Sequence, residues 1–184
     1  MDTATPTLPE ELSPILATSR LGSTPLSWVA ADQVIPPFRD LLVHDRDMTS
    51  ALERFHGDSI TLEVLHSKHH DDTYLREVTL HAAASGSPVE YGLIEILLDS
   101  FPSDLRPEIL AGETPLGAIL NQSGLGYRSH PQGFFTVPKP ALNGIFPQSS
   151  GGELLYGRYN HLIRKDTSAC LARILEILPP STDH

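Results

Sequence analysis

Two charged residues interrupt the apolar faces of predicted β-strands. Arg76 lies in an alternating strand over about Thr73–Ala84, and Glu176 is the single acid on its face of a later strand over about Ala169–Leu178. The face of Arg76 also carries Tyr74, Val78 and Leu80, and that of Glu176 carries Cys170, Ala172, Ile174 and Leu178. Side chains alternate between the two faces of a strand. Both charges therefore point at an apolar layer, where an ion costs several kcal/mol unless a partner compensates it.

Two explanations of these charges stay open. In the first, Arg76 and Glu176 pair for structural reasons, or one of them lies near a sheet edge and reaches water. In the second, they flank a closed cavity in which Arg76 binds a carboxylate and Glu176 transfers a proton. A carboxyl group in an apolar pocket has a raised pKa, which suits acid–base chemistry. Glu95 competes for that role, because it lies between Leu93 and Leu97 on a more apolar strand.

Other reactive side chains give weaker signals. The histidines and aspartates of residues 66–72 are close together, but their spacing fits no zinc pattern, and we expect a solvated hairpin loop without a metal. Neither Ser168 nor Cys170 has a histidine placed as a base. The glycines of residues 124–126 and 151–152 lack the strand–glycine–helix order of a phosphate loop, and we expect turns or a mobile flap there.

The elements that must position these residues form an α+β pattern. Alternation begins after Gly57 and continues to the last strand. The predicted strands are Ile60–Val64, Thr73–Ala84, Pro88–Ser100, a brief one at Gly133–Val137, Glu153–Ile163 and Ala169–Leu178. The turn at Ser85–Ser87 indicates an antiparallel hairpin. We expect a single antiparallel sheet of five to six strands with helices on one side, enclosing an internal ligand pocket.

Helices are predicted before the sheet and in its middle. A helix opens at Pro36–Leu42, and Asp47 caps another over Met48–Phe55 that ends at Gly57. Two more are expected near Asp104–Leu110 and Pro115–Asn121. The proline-rich residues 1–35 form a loosely ordered leader, with a short helix near Glu10–Thr18, and the domain covers residues 36–180. A long loop is expected over Pro138–Gly152.

Composition excludes several classes of protein. The chain has 184 residues and a formal net charge of −10, which disfavours nucleic acid and anionic membranes as partners. One cysteine, Cys170, forbids an intrachain disulfide and a cysteine-based zinc site. The start of the chain lacks the features of a signal peptide, and no apolar run is long enough for a membrane span. We expect a cytoplasmic protein that is a monomer or weak oligomer and binds a small molecule.

Several short motifs resemble those of chorismate lyase and its superfamily, in the same order along the chain. The most specific are Tyr74-Leu75-Arg76-Glu77-Val78 and Gly112-Glu113-Thr114-Pro115-Leu116-Gly117. Further matches are Asp40-Leu41-Leu42, Asp47-Met48-Thr49, Leu155-Tyr156-Gly157-Arg158 and Glu176-Ile177-Leu178-Pro179. Together they cover roughly residues 37–179.

The resemblance implies a lyase that converts chorismate to 4-hydroxybenzoate and pyruvate, as in ubiquinone biosynthesis, without a metal or organic cofactor. It implies that Arg76 grips a ligand carboxylate, that Met48 and Leu116 line the ring pocket, and that Glu176 is the acid–base residue. Arg158 matches a family arginine, which is either a second carboxylate clamp or a structural partner. An arginine suits this chemistry because its planar fork binds a carboxylate through two hydrogen bonds.

Two other functions remain open. The same fold serves as the effector domain of some transcription regulators, so the chain could be a non-catalytic binding module for an aromatic carboxylate. It could also be an enzyme of this fold that acts on another carboxylated ring compound. Both alternatives keep the pocket and Arg76 and differ in what happens to the ligand.

Overall fold

A seven-stranded antiparallel sheet runs through the computed structural model, which describes residues 10–147 and 152–180. Its order is β1-β5-β6-β7-β4-β3-β2. The strands are β1 (Ser27–Val29), β2 (Ile60–His70), β3 (Thr73–Ala82), β4 (Pro88–Leu97), β5 (Tyr127–Pro138), β6 (Leu154–Arg164) and β7 (Cys170–Ile177). The predicted α+β class with one antiparallel sheet is confirmed, and the predicted count of five to six strands is wrong.

The strand residues that were not predicted, in β1 and the first half of β5, lie in segments without regular alternation. β5 was expected only over Gly133–Val137, but it begins at Tyr127 and pairs with β6 along its whole length. Pro131 lies where the register shifts, before Gly133, and a bulge is a position at which a sheet tolerates proline. β1 has three residues and adds to the edge of β5. Both β1 and the first half of β5 therefore form through pairing with a neighbouring strand, and no local sequence pattern marks them.

Four helices cover one face of the sheet. They are α2 (Phe38–Leu42), α3 (Met48–His56), α4 (Arg106–Ala111) and α5 (Leu116–Ser123). The carboxylate of Asp47 accepts a hydrogen bond from the Ser50 N–H at 2.8 Å, and Gly57 ends α3 with φ of 62°. This confirms the capped helix predicted from the sequence. The layer of apolar side chains beneath these helices includes Val78, Leu80, Ile94 and Ile174.

The opposite face is covered by the N-terminal segment, which was expected to be loosely ordered. In residues 10–35, a further helix, α1 (Ser13–Ala17), packs against β4, β6 and β7. Leu12, Ile15 and Leu16 are spaced as one helical face and are at most 5% exposed. The described part of this segment is thus packed on the sheet, and α1 lies on the side opposite α2–α5, so the helices do not all lie on one side as expected. The predicted boundary between leader and domain at residue 36 stays a prediction. Residues 1–9 lie outside the described part of the chain.

The predicted long loop over Pro138–Gly152 is partly ordered by packing. Residues Lys139–Leu142 form a 3-10 turn, and Leu142 and Phe146 are buried against the same face as α1. Residues 148–151 lie outside the described part. Within the described ranges, none of the helices has both the length and the apolar character that crossing a bilayer requires.

Candidate functional site

A cavity with an empty volume of about 450 Å³ lies between the sheet and the helices α3 and α5. This volume includes space that is open to solvent. Its walls are mostly apolar, and they include Met48, Val78, Ile94, Leu116, Leu162 and Ile174. Its polar side chains include Arg76, Glu90 and Glu176. The combination of apolar walls with a few charged groups is typical of a ligand site.

The strand register brings Arg76 and Glu176 to the same cavity. Arg76 on β3 lies opposite Ile94 on β4, which lies opposite Ile174 on β7. Glu176 is two residues further along β7 on the same face. A strand spacing of ~4.8 Å and a rise of ~3.4 Å per residue place the two Cα atoms about 12 Å apart. The alternation in the sequence thus predicted the face of both residues correctly.

Arg76 is a buried cation that has no hydrogen-bond partner in the described part of the chain. Its exposed fraction is 2%, and none of its three guanidinium nitrogens has a hydrogen-bond partner among the described residues. Burial lowers the pKa of Arg76 to about 10, so the group stays charged at neutral pH. Buried polar groups in proteins are nearly always hydrogen-bonded. The cavity therefore holds an arginine that is prepared for an anion.

Glu176 is paired with Arg158 and not with Arg76. The two residues lie directly opposite each other on β7 and β6, and Arg158 Nε donates to Glu176 Oε2. Burial raises the pKa of Glu176, and the adjacent Arg158 charge offsets part of that effect. One of the two structural explanations given above, a pair between Arg76 and Glu176, is therefore wrong.

All three guanidinium nitrogens of Arg158 donate hydrogen bonds. Its Nη1 donates to the carbonyls of Leu42 and His44 at 3.3 Å and 3.1 Å, and its Nη2 donates to the carbonyl of Arg46 at 3.1 Å. Its exposed fraction is 0%, and it is not among the residues that line the cavity. The contacts favour the structural role over the carboxylate clamp, because Arg158 ties Glu176 to the segment between α2 and α3.

His44 completes this arrangement as a neutral imidazole. Its Nε2 lies 2.7 Å from the Leu41 carbonyl oxygen. Its Nδ1 lies 3.1 Å from the backbone nitrogen of Arg46 and 3.3 Å from Arg158 Nη1. These partners require the proton on Nε2 and an acceptor at Nδ1. Burial and the charge of Arg158 lower the pKa of His44 to about 4, so it does not compete with Arg76 for an anion.

Glu90 is a cavity residue that the sequence analysis missed. Its exposed fraction is 3%, and its Oε2 has no hydrogen-bond partner among the described residues. Burial raises the pKa of Glu90 well above its ordinary value, and the nearby Glu176 carboxylate raises it further. Glu90 could have been found from strand alternation, because Glu90, Gly92 and Ile94 lie on the same face of β4. The apolar run of β4 hid that signal, because Leu93, Ile94, Ile96 and Leu97 make both faces look alike.

The helix starts close the cavity on the side opposite the sheet. Met48 and Leu116 begin α3 and α5, and both are 4% exposed and line the cavity, as predicted. A Cβ atom at Gly117 would lie 2.9 Å from Asp47 Oδ1 and from Thr49 Oγ1. The two helix starts therefore fit closely against each other. The binding roles predicted for Met48, Leu116 and Arg158, and the catalytic roles predicted for Arg76 and Glu176, stay predictions.

The weaker candidates lie away from the cavity. Glu95 points to the opposite face of the sheet, where Arg173 donates to it at 2.6 Å. Residues 66–72 form the exposed tip of the β2–β3 hairpin, which is longer than expected. In the described ranges, no group of three histidine, cysteine or acidic side chains is placed to hold a metal ion. Gly124 ends α5 in the left-handed region, and Gly151 falls outside the described residues.

Comparison with known proteins gives a fold likeness and no closer relationship. No protein family model matches the chain, and no curated protein matches it. The solved structures that are similar include PhnF from Mycobacterium smegmatis, with a TM-score of 0.50, and the effector domain of PhnF, with a TM-score of 0.52, each at 15% identity. The matches cover 72% and 73% of this chain, and 63% and 88% of the two structures.

This likeness concerns the fold alone. The chain spans less than two thirds of the length of PhnF and most of its effector domain. At 15% identity the likeness does not show membership of the chorismate lyase superfamily, and the relationship expected from the sequence motifs stays a prediction.

Proposed function

We propose that this chain is a ligand-binding domain whose cavity takes a small molecule with a carboxylate group. The observation that carries the proposal is Arg76, a buried residue of the cavity wall whose three guanidinium nitrogens have no hydrogen-bond partner among the described residues. A bound carboxylate would supply two parallel hydrogen bonds and the opposite charge. An uncharged ligand would leave Arg76 uncompensated.

The walls of the cavity favour a flat apolar body for this ligand. Ile94 and Ile174 form the floor on the sheet side, and Met48 and Leu116 face them from the helices. Binding an aromatic ring among them is favourable, because it removes apolar surface from contact with water. The fold likeness to an effector domain supports ligand binding ahead of catalysis.

The proposal is tested by calorimetric titration of the protein with 4-hydroxybenzoate. We expect binding to the wild-type chain and a loss of at least ~10-fold in affinity in Arg76→Met, since hydrogen bonds to charged groups contribute about 1.5–3 kcal/mol. Arg76→Lys should also bind more weakly, because an ammonium group cannot form the paired contact. Arg173→Met is the matched control, as Arg173 lies on the other face and pairs with Glu95. Equal affinity of wild type and Arg76→Met would refute the proposal.

A second candidate function is a lyase that acts on chorismate. It rests on Glu176, a carboxyl group of raised pKa in the same cavity as Arg76. Loss of pyruvate makes the ring aromatic, so the protein would mainly orient the substrate and move a proton. The lyase is the second candidate, because Glu176 forms an ion pair with Arg158 and would have to take up and release a proton within that pair.

The lyase is tested with purified protein and chorismate. Pyruvate and 4-hydroxybenzoate should appear in equal amounts, and Arg76→Ala should lower turnover by at least ~10²-fold if Arg76 orients the substrate. Product formation at the uncatalysed rate would reject the lyase and leave the ligand-binding proposal standing.

A further inference from the structure

The cavity has a second polar end, opposite Arg76. Glu90 and Glu176 lie there, on the neighbouring strands β4 and β7. Glu90 is four residues along β4 from Ile94, the residue opposite Arg76, so the Cα atoms of Arg76 and Glu90 are about 14 Å apart. The two ends are separated by the apolar walls, and a ligand that fills the cavity reaches both.

Gly92 gives the Glu90 carboxyl group its position. It lies between Val78 and Glu176 in the sheet, and a Cβ atom built on it would lie 3.4 Å from Glu90 Oε1 and 3.1 Å from Val78 Cγ2. The Glu90 side chain therefore bends over a position without a side chain. Its Oε2 has no partner there, although a buried polar atom normally has one.

The acidic end has no free cation among the described residues. Arg158 is the cation beside Glu90 and Glu176, and its three nitrogens already donate to Glu176 and to the backbone carbonyls of residues 42–46. A second ligand carboxylate at this end would be a buried charge beside Glu176 with nothing to neutralise it, which is strongly unfavourable. An uncharged hydroxyl brings no such penalty.

We infer that Glu90 is a ligand contact that sets specificity: the ligand carries one carboxylate, bound by Arg76, and an uncharged hydroxyl at Glu90, and compounds with a second carboxylate are rejected. This inference rests on the proposed function and is incompatible with the chorismate lyase considered second, because chorismate carries two carboxylates. In its protonated form Glu90 donates to the hydroxyl oxygen, and the hydroxyl donates in turn to a carboxylate oxygen of Glu176. Burial and Glu176 raise the pKa of Glu90 well above its ordinary value, which favours this protonated form.

Three ring compounds of equal shape test the inference by calorimetry: benzoate, 4-hydroxybenzoate and terephthalate. For the wild-type chain we expect 4-hydroxybenzoate to bind at least ~5-fold more tightly than benzoate, the equivalent of about 1 kcal/mol for one neutral hydrogen bond. Terephthalate, with its second carboxylate, should bind at least ~100-fold more weakly than 4-hydroxybenzoate.

Variants then identify the residue. Glu90→Leu should lower the preference for 4-hydroxybenzoate over benzoate to less than ~2-fold, and Glu90→Gln should retain it, because an amide also donates and accepts. Glu77→Gln is the matched control: Glu77 is also buried, at 7% exposure, but it lies on the opposite face and accepts a hydrogen bond from Tyr91.

The two proposals fail in different ways. A preference for the hydroxyl that persists in Glu90→Leu, or terephthalate binding as tight as that of 4-hydroxybenzoate, would overturn the role of Glu90. The wild-type comparison needs no variant, so it decides even where Glu90→Leu does not fold. Benzoate affinity that is equal in wild type and Arg76→Met would instead overturn the proposed function.

Discussion

Replacing Arg76 by methionine should make the ligand-free protein more stable. Most substitutions of a buried residue destabilise a protein, so the predicted direction is unusual and follows from the lack of a partner. Methionine keeps an unbranched stem of similar length and removes the charge. Because Arg76 is 2% exposed and makes no hydrogen bond among the described residues, little is lost with the guanidinium.

The magnitude follows from the pKa of Arg76. Burial lowers it to about 10 from the ordinary value of an arginine, and each pKa unit corresponds to about 1.4 kcal/mol, so the charge costs about 3 kcal/mol in the folded state. A base with a lowered pKa destabilises the folded protein at every pH below that pKa. Part of the gain is offset by lost packing, and we expect a net increase of about 1–3 kcal/mol in the free energy of unfolding.

Thermal and urea unfolding at neutral pH measure this change. In a chain of this length, 1 kcal/mol shifts Tm by about 2–4 °C, so a gain of about 1–3 kcal/mol in Arg76→Met should raise Tm by roughly 2–12 °C. Arg173→Met is the control and should lower Tm, since it breaks the pair with Glu95. Adding 4-hydroxybenzoate should stabilise the wild type and leave Arg76→Met unchanged. A ligand-free Arg76→Met that unfolds at a lower Tm than wild type would refute the argument that Arg76 lacks a partner.

Three further predictions concern the surroundings of the cavity. Arg158→Met should lower the free energy of unfolding by about 3–5 kcal/mol, because Glu176 stays buried without a cation, and Arg158→Met/Glu176→Leu should recover part of the loss in urea titrations. Gly157→Ala should lower the free energy of unfolding by about 1–3 kcal/mol, because its Cβ would lie 2.6 Å from Phe135 Cζ. The control Gly126→Ala, whose Cβ would have its nearest contact at 3.6 Å, should change that free energy by no more than about 0.5 kcal/mol. Equal Tm values of the two variants would contradict this. The pKa of Glu90 is higher in the folded than in the unfolded chain, so wild-type stability should fall as pH rises above about 4.5, and Glu90→Gln should show a shallower fall in urea titrations across pH. An identical slope in both proteins would mean that Glu90 is ionised in the folded state.

The parts of the sheet that could be predicted are those whose pattern is local. Alternation in β3, β4, β6 and β7 marks each strand within a few residues of its bounds, whereas in β2 it marks the start at Ile60 and misses the last six residues. The first half of β5 is polar and contains Pro131, and its strand conformation depends on pairing with β6. The short helix predicted near Glu10–Thr18 is present as α1, but its apolar stripe is too short to show that it packs on the sheet.

The candidate site was predictable where only the face of a strand mattered. Alternation alone put Arg76 and Glu176 on the cavity face. The partner of Glu176 depends instead on the register of β6 on β7, which shifts at Leu162/Ile163. Without that irregularity Arg158 would lie opposite Leu175 and face away from the cavity. No local pattern shows such a shift, so the Arg158–Glu176 pair could not be predicted.

The central claim is that Arg76 binds the carboxylate of a ligand inside this cavity. A crystal structure of the protein with 4-hydroxybenzoate tests it most directly. We predict the ring between Met48 and Ile174, the carboxylate within hydrogen-bond distance of two Arg76 nitrogens, and the hydroxyl at Glu90. A ligand bound elsewhere, or a cavity ligand whose carboxylate lies away from Arg76, would contradict the account.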